Sequence, residues 1–457
     1  MRRTAGGLVA LIVVLAAGAW FAWPYLAGSR VPIRVGILHS MTGPMAVNEA
    51  SLVDADKLAI EEINAAGGLL GRTVVPVIVD GKSDPDVYAR EAEKLIRDEK
   101  VSVIFGCYSS ASRKSVKTVV EKNEHLLVYP IAYEGLEQSP NIIYTGAAPN
   151  QQIIPTVNWC LSVLKAKTYY LIGNDFVWPH AVNEIIKDQL KALGATVVGE
   201  EYVPMGSTHL EGVVARAVAA KPDVILSTLI GDSNLPFYEK IRKNNKAAAS
   251  IPILSFIVAE DELRGLPARD MVNDYCICNY FQVIDRDENK KFVAAYRKFG
   301  KDQSLVTSDS IATAYNSVRL WAQAVRDAET DETRLVRPAM LKQSLDAPEG
   351  VISIDRETQH TWRPFFIGKV QPDGRIEIVW ELNKPIRPVP FPFSRDRDQW
   401  EKFLENLRAG WGGKWEAPAG SAAPRAALDW PGTDPITRFQ DRGRLSLSRA
   451  TLRHDVR

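Results

Sequence analysis

The sequence predicts an α/β protein of two doubly wound lobes, and three observations point there. Short apolar runs alternate with helically periodic segments through most of its 457 residues. Residues 35–43, Val-Gly-Ile-Leu-His-Ser-Met-Thr-Gly, read as a buried strand opening into a polar loop. Residues 62–68, Glu-Ile-Asn-Ala-Ala-Gly-Gly, read as a helix end, with Gly67 and Gly68 available for a left-handed cap. A strand, a polar loop and a stopped helix at the front of such a chain mark a place for a small molecule at the strand ends.

The elements follow in order. Strands are expected at 33–38, 74–79, 102–105, 126–129, 168–172, 223–226, 251–255 and 275–280. Helical segments are expected between most of them, at about 49–65, 85–98, 111–122, 151–164, 181–192, 210–219 and 234–243. Ser83-Asp84-Pro85 is a helix start, with an acidic cap and Pro in the first turn. Later helices are read at about 286–299, 308–327 and 337–345, and closing strands at 351–354, 364–370 and 375–380. The division that results is 31–147 with 283–345 for lobe 1 and 148–282 with 346–395 for lobe 2. Residues 396–416 are expected to wrap a surface. Residues 417–457 turn to Ala, Gly, Pro, Arg and Ser without apolar periodicity and read as a disordered tail.

Composition narrows the function. A hydrophobic fraction of 46% and a charged fraction of 24% are those of a globular protein with full cores. A formal charge of +1 argues against nucleic acid as a partner. Cys107, Cys160, Cys276 and Cys278 lack the spacing of a zinc knuckle or a redox pair, and read as buried, unpaired thiols. Arg2 and Arg3 precede an apolar stretch from Gly6 to about Gly28, so residues 1–30 read as a signal peptide or an N-terminal membrane anchor. The positive flank places the remainder outside the cytoplasm.

No catalytic constellation emerges. There is no Gly-x-Ser-x-Gly elbow, phosphate-binding loop or His-Glu-x-x-His pair, and the six histidines are scattered. His39, at a strand end, either faces a ligand or is a satisfied structural histidine. The expectation is a protein that is not an enzyme and holds no metal and no cofactor.

Polar and aromatic residues placed just after buried strands are more informative. Gly106-Cys107-Tyr108-Ser109-Ser110 opens a helix, and its hydroxyls and N–H groups offer donors to a carbonyl oxygen, although Ser109 or Ser110 could simply cap that helix. Tyr129-Pro130-Ile131-Ala132-Tyr133 puts two tyrosines beside a turn, as pocket wall or as packing. Phe176 and Trp178 follow the strand at 168–172 and could close over a small flat ligand or fill a core. Asp232 accepts ligand N–H groups or caps a helix. Ser255 and Glu260 flank another strand end, and Asn279-Tyr280-Phe281 lies where the chain should cross between lobes.

Several of these segments resemble the amide and urea receptors of the type I periplasmic binding proteins. They are 106–116 (Gly-Cys-Tyr-Ser-Ser-Ala-Ser-Arg-Lys-Ser-Val), 129–135 (Tyr-Pro-Ile-Ala-Tyr-Glu-Gly), 139–144 (Ser-Pro-Asn-Ile-Ile-Tyr) and 148–151 (Ala-Pro-Asn-Gln). Gly-Asp-Ser-Asn at 231–234, Asn-Tyr-Phe at 279–281 and Asp-Ala-Pro-Glu-Gly at 346–350 continue the likeness, which covers about 32–390. The resemblance implies a type I periplasmic-binding fold with a three-segment hinge near 146–150, 277–283 and 346–353. It implies ligand contacts at Tyr108, Ser110 and Tyr129. The family's amide regulator carries Thr where Ile131 stands, Pro where Ala132 stands and Tyr where Phe176 stands. These departures remove hydroxyls, and the Gly-Asp-Ser-Asn segment looks more like the urea receptors. The expected site is thus Tyr108, Ser110, Tyr129, Ile131, Tyr133, Phe176, Trp178, Asp232, Glu260 and Tyr280.

The implied function is capture of urea or a short-chain amide between the lobes, for delivery to the membrane permease of an ABC transporter. The implied location is periplasmic, anchored to the inner membrane through the N-terminal segment. Rival readings are a membrane-anchored amide or urea sensor, a receptor for branched-chain or other amino acids, a cytoplasmic amide regulator and an amide-hydrolysing enzyme.

Overall fold

The structure is a computed structural model and describes residues 31–243 and 248–418. The expected N-terminal targeting segment, 1–30, and nearly all of the expected tail lie outside the described residues. Among those described, no helix is long and apolar enough to cross a membrane.

Two sheets organise the chain. The first has the order β2-β1-β3-β4-β5, all parallel, built from Ile33–His39, Val74–Asp80, Ile104–Gly106, Leu127–Tyr129 and Ile142–Tyr144 as β1 to β5. Strand β1 is buried at every position but Arg34, as a parallel strand covered on both faces must be. Helix α1 (Ala46–Ala65) ends where expected: Gly67 and Gly68 take φ of +98° and +79°, and their N–H groups donate to Asn64 and Ile63 carbonyls. Helix α2 (Pro85–Arg97) starts on Asp84, whose carboxylate accepts from Asp86 and Val87 N–H. Helix α3 (Ser110–Lys122) follows β3.

The second sheet has nine strands, ordered β11-β12-β13-β10-β9-β8-β6-β7, with β14 on β13. Its parallel part is β6 (Thr168–Asn174), β7 (Thr196–Val203), β8 (Val224–Thr228), β9 (Ile253–Ser255) and β10 (Tyr275–Cys278). Helices α4 (Ile153–Ser162), α5 (Val177–Ala192), α6 (Glu211–Ala219), α7 (Asn234–Tyr238) and α8 (Glu260–Leu263) connect these strands. The antiparallel part is β11 (Ser344–Ala347), β12 (Gly350–Ile354), β13 (Thr361–Val370) and β14 (Ile376–Ile386). Three helices between β10 and β11 return to the first sheet. They are α9 (Asp287–Phe299), α10 (Asp309–Ala328) and α11 (Thr333–Met340), with α10 packed along α1 and Trp321 set edge-on against Phe105 at 5.8 Å. We call the first sheet with its helices the first lobe and the second sheet with its helices the second.

Three crossings join the lobes, and side-chain amides lace them together. Asn279 Nδ2 donates to the Gln151 and Pro364 carbonyls, and Gln151 Nε2 donates to the Thr361 and Ile386 carbonyls. Arg363, fully buried, donates to Asp309 and Thr313 and pairs with Glu349.

The structure corrects the sequence reading in four places. Strands β5 and β7 are additional: β5 is three residues long, and β7 is an edge strand whose apolar run is broken by Gly199-Glu200-Glu201. The helix expected at 337–345 lies at 333–340, because Leu345 and Ala347 turn inward in alternation as edge strand β11. The expected surface wrap contains α12 (Arg397–Gly410), closed at its start by a reciprocal cap between Asp396 and Gln399. All four cysteines are buried and free, as expected.

Candidate functional site

The carboxyl ends of the parallel strands of both lobes face one another across a narrow cleft. The lobes touch there directly. Asn48 Nδ2 of α1 donates to Glu262 of α8 at 2.6 Å, and the Asp232 N–H donates to the Pro44 carbonyl at 3.3 Å. The structure is therefore a closed form.

Deep in the cleft lies a small cavity with about 30 Å³ of free space, room for little more than a water or two. The first lobe contributes Tyr108, Pro130, Ile131, Ala132 and Gly146. The second contributes Gln152, Phe256, Ile257, Ala259 and Cys278, and the start of α10 contributes Asp309, Ser310 and Thr313.

A strained turn delivers Tyr108 to this cavity. Gly106 takes φ of +149°, where a Cβ would lie 2.1 Å from the Leu38 carbonyl oxygen, and Cys107 takes φ of +64°. Strain of this kind persists where the surroundings over-determine it. The Tyr129 hydroxyl fixes the turn by donating to the Tyr108 carbonyl at 2.7 Å. Burial, with the Glu262 and Asp261 carboxyls nearby, holds the Tyr108 pKa well above the usual phenol value, so its hydroxyl stays a donor.

Of the lining residues Asp309 alone carries a carboxyl group, and Glu260 and Asp261 follow the lining residue Ala259 in sequence. Oε2 of Glu260 is buried without a hydrogen-bond partner, and the Asp261 carboxyl shares a hydrogen bond with Glu262, whose pKa burial and Asp261 raise well above the usual carboxyl value. Burial pushes the Glu260 carboxyl up to about 8, although its Oε1 accepts from Gln282 N–H. Asp309 accepts from Asn279 N–H and from Arg363. No lysine or arginine lines the cavity.

Of the expected site residues, Tyr108 and Ile131 line this cavity and Glu260 borders it through Ala259. The others have different partners. Ser110 gives its hydroxyl to Glu134 and accepts from Arg113, while Ser109 caps α3 by accepting from Ser112 N–H. Tyr129 stands behind Tyr108, under the Arg113 guanidinium. Tyr133 is stacked on Tyr144 at 5.1 Å and bonded to His360, whose pKa burial lowers to about 4. The ion cluster of Arg113, Lys114, Glu134 and Glu137 explains this arrangement. Burial opposes charge on Glu137, yet Lys114 and Arg113 overcome it and hold that carboxyl far below the usual range. Such a cluster consumes the hydroxyls around it.

Phe176 and Trp178 are buried at the start of α5, where Phe176 bridges to Glu416. Asp232 is exposed and neither caps a helix nor enters the cavity; only its backbone joins the lobe contact. Tyr280 is fully buried and shares its hydroxyl with Asn289 and Thr307. His39 is structural: it lies buried between Glu49 and Asp56.

Phe256, Gln152 and Asp309 escaped the sequence reading. Phe256 directly follows β9, so the strand-end rule that selected Ser255 reaches it one residue on. Asp309 comes from a distant helix start and carries no local signal.

Comparison with known proteins places this geometry. The model of the periplasmic binding protein domain matches residues 33–397. A Leu/Ile/Val-binding protein homolog of Brucella abortus is 26% identical over 346 residues, covering 74% of this chain and 88% of that one. The Leu/Ile/Val-binding protein BraC3 of Rhizobium johnstonii is 25% identical over 203 residues, 43% of this chain, and the match spans 54% of its own length. Among solved structures, a solute-binding protein from R. palustris in complex with benzoate superposes with a TM-score of 0.70 at 17% identity, covering 79% of this chain and 98% of that one. The branched-chain amino acid transporter binding protein LivJ of Streptococcus pneumoniae, in complex with isoleucine, gives 0.66 at 20% identity, covering 78% and 100%. At these identities the two structures establish a shared fold.

Proposed function

The chain belongs to the periplasmic binding protein domain family, and we propose that it is an extracytoplasmic solute receptor that captures urea or a short-chain amide between its lobes. It then presents the closed form to the permease of an ABC transporter. The observation that carries this reading is the cavity. Its free space is about 30 Å³, so only a ligand of very few atoms fits without reopening the lobes. Its chemistry points the same way. Tyr108 offers a hydroxyl to a carbonyl oxygen, and Asp309, the one carboxylate in the lining, accepts N–H. A carboxylate ligand would find no lysine or arginine in the lining, since Arg113 and Arg363 are spent on internal acids.

The Leu/Ile/Val-binding relatives favour a second reading, a receptor for branched-chain amino acids. Asp309 would then hold the ammonium group. Thermal unfolding with a ligand panel separates the two, because a ligand that binds only the folded state raises the Tm with its concentration. The proposal predicts a saturable upward shift with urea, acetamide or formamide and none with leucine or isoleucine. It also predicts no ammonia release from urea. A shift confined to the amino acids rejects the proposal in favour of the second reading.

A further inference from the structure

Beyond the ligand cleft, the C-terminal segment joins the two lobes, and all but the first residue of α12 lies past the stretch that the family model matches. This segment is built onto the second lobe. Arg395 reaches Glu184 and Asp188 of α5 and lies under the fully buried Trp400, whose Nε1 donates to the Pro392 carbonyl. After α12 the chain runs along the start of α5. There Val177 N–H donates to the Trp415 carbonyl and Ala417 N–H to the Asp175 carbonyl, each at 3.0 Å.

Attachment to the first lobe is sparse by contrast. At the root, near the crossings, the Leu136 N–H donates to the Pro390 carbonyl. At the tip, Lys114 of α3 sets its ammonium 4.7 Å from the centre of the Trp415 ring. Between root and tip, α12 and α3 are separated by an open groove of about 370 Å³, and a second opening of about 300 Å³ flanks Trp415. The tip meets the first residue of α5 on one side and the first turn of α3, the helix that follows Tyr108, on the other.

We infer that residues 396–418 form a clasp that rides on the second lobe and holds the lobes closed through the contact of Trp415 with Lys114. Opening draws α3 away from α5. The root, beside the crossings, moves little, whereas the tip must part. A cation over an indole face is a modest contact, so the clasp biases the equilibrium without locking it.

Single-molecule energy transfer in the ligand-free full chain tests this, with dyes on Lys122→Cys of the first lobe and Leu193→Cys of the second. The native cysteines are buried and leave these sites distinct. Trp415→Ala keeps the backbone bonds to Val177 while deleting the ring. It is expected to raise the open-to-closed ratio by roughly threefold to tenfold. Lys114→Met, which removes the charge from the other side, is expected to shift it the same way, and Trp415→Phe to restore most of the closed population. Unchanged distributions in both Trp415→Ala and Lys114→Met overturn the clasp. The readout needs no ligand, so failure of urea to bind would leave the result standing.

Discussion

Tyr108 owes its position to its neighbours' backbone strain and to the Tyr129 hydroxyl, and its side chain lines the cavity. Behind it, His39 solves a different problem. Burial opposes its charge, yet bonds to Asp56 and Glu49 lift its pKa to about 9. A folded-state pKa above the unfolded value of about 6.5 means a stabilising contribution that is complete below that value. It fades as pH rises through about 9. The shift bounds the contribution at about 3 kcal/mol. Guanidinium unfolding of the wild type and His39→Gln at pH 6 and pH 9.5 checks it, urea being avoided as a candidate ligand. The difference in stability between the two proteins should shrink by most of that amount at the higher pH. A constant difference would mean that His39 is not charged in the folded state.

At the scale of elements, the crossing after β5 packs directly against the cavity wall. A Cβ on Gly146 would lie 2.1 Å from the Ile131 carbonyl atoms and 2.5 Å from the Ala132 nitrogen. Backbone cannot yield as a flexible side chain does, so Gly146→Ala must push the Pro130–Ala132 wall into the cavity. We expect a loss of about 1–3 kcal/mol in stability and at least a tenfold loss of ligand affinity, read by thermal unfolding and titration. The long buried strands, the Asp84 cap and the Gly67-Gly68 stop were legible because each is a local pattern of burial or capping. Strand β7 was not, since only one edge of it pairs and its alternation is interrupted. Helix α12 was hidden by its Pro- and Arg-rich approach, although Asp396 and Gln399 spell out its cap.

At the scale of the whole molecule, strand-end logic led to the cleft but not to its occupants. Of the residues it selected, Tyr108 and Ile131 line the cavity. It also selected Ser110, Tyr133 and Tyr280, whose hydroxyls answer to buried partners many residues away in the chain, respectively Glu134, His360 and Asn289 with Thr307. Such long-range satisfaction of polar groups leaves no trace in local sequence. The same distance hid Asp309, which reaches the cavity only because α10 returns to the first lobe. The central claim is that these parts close around a very small, neutral, N–H-bearing solute. Calorimetric titration of the wild type and Tyr108→Phe with urea, acetamide, isoleucine and benzoate tests it most directly. The account predicts saturable heats with urea or acetamide alone, and an affinity at least tenfold weaker once the Tyr108 hydroxyl is gone. Heats with isoleucine or benzoate and silence with urea and acetamide would contradict it.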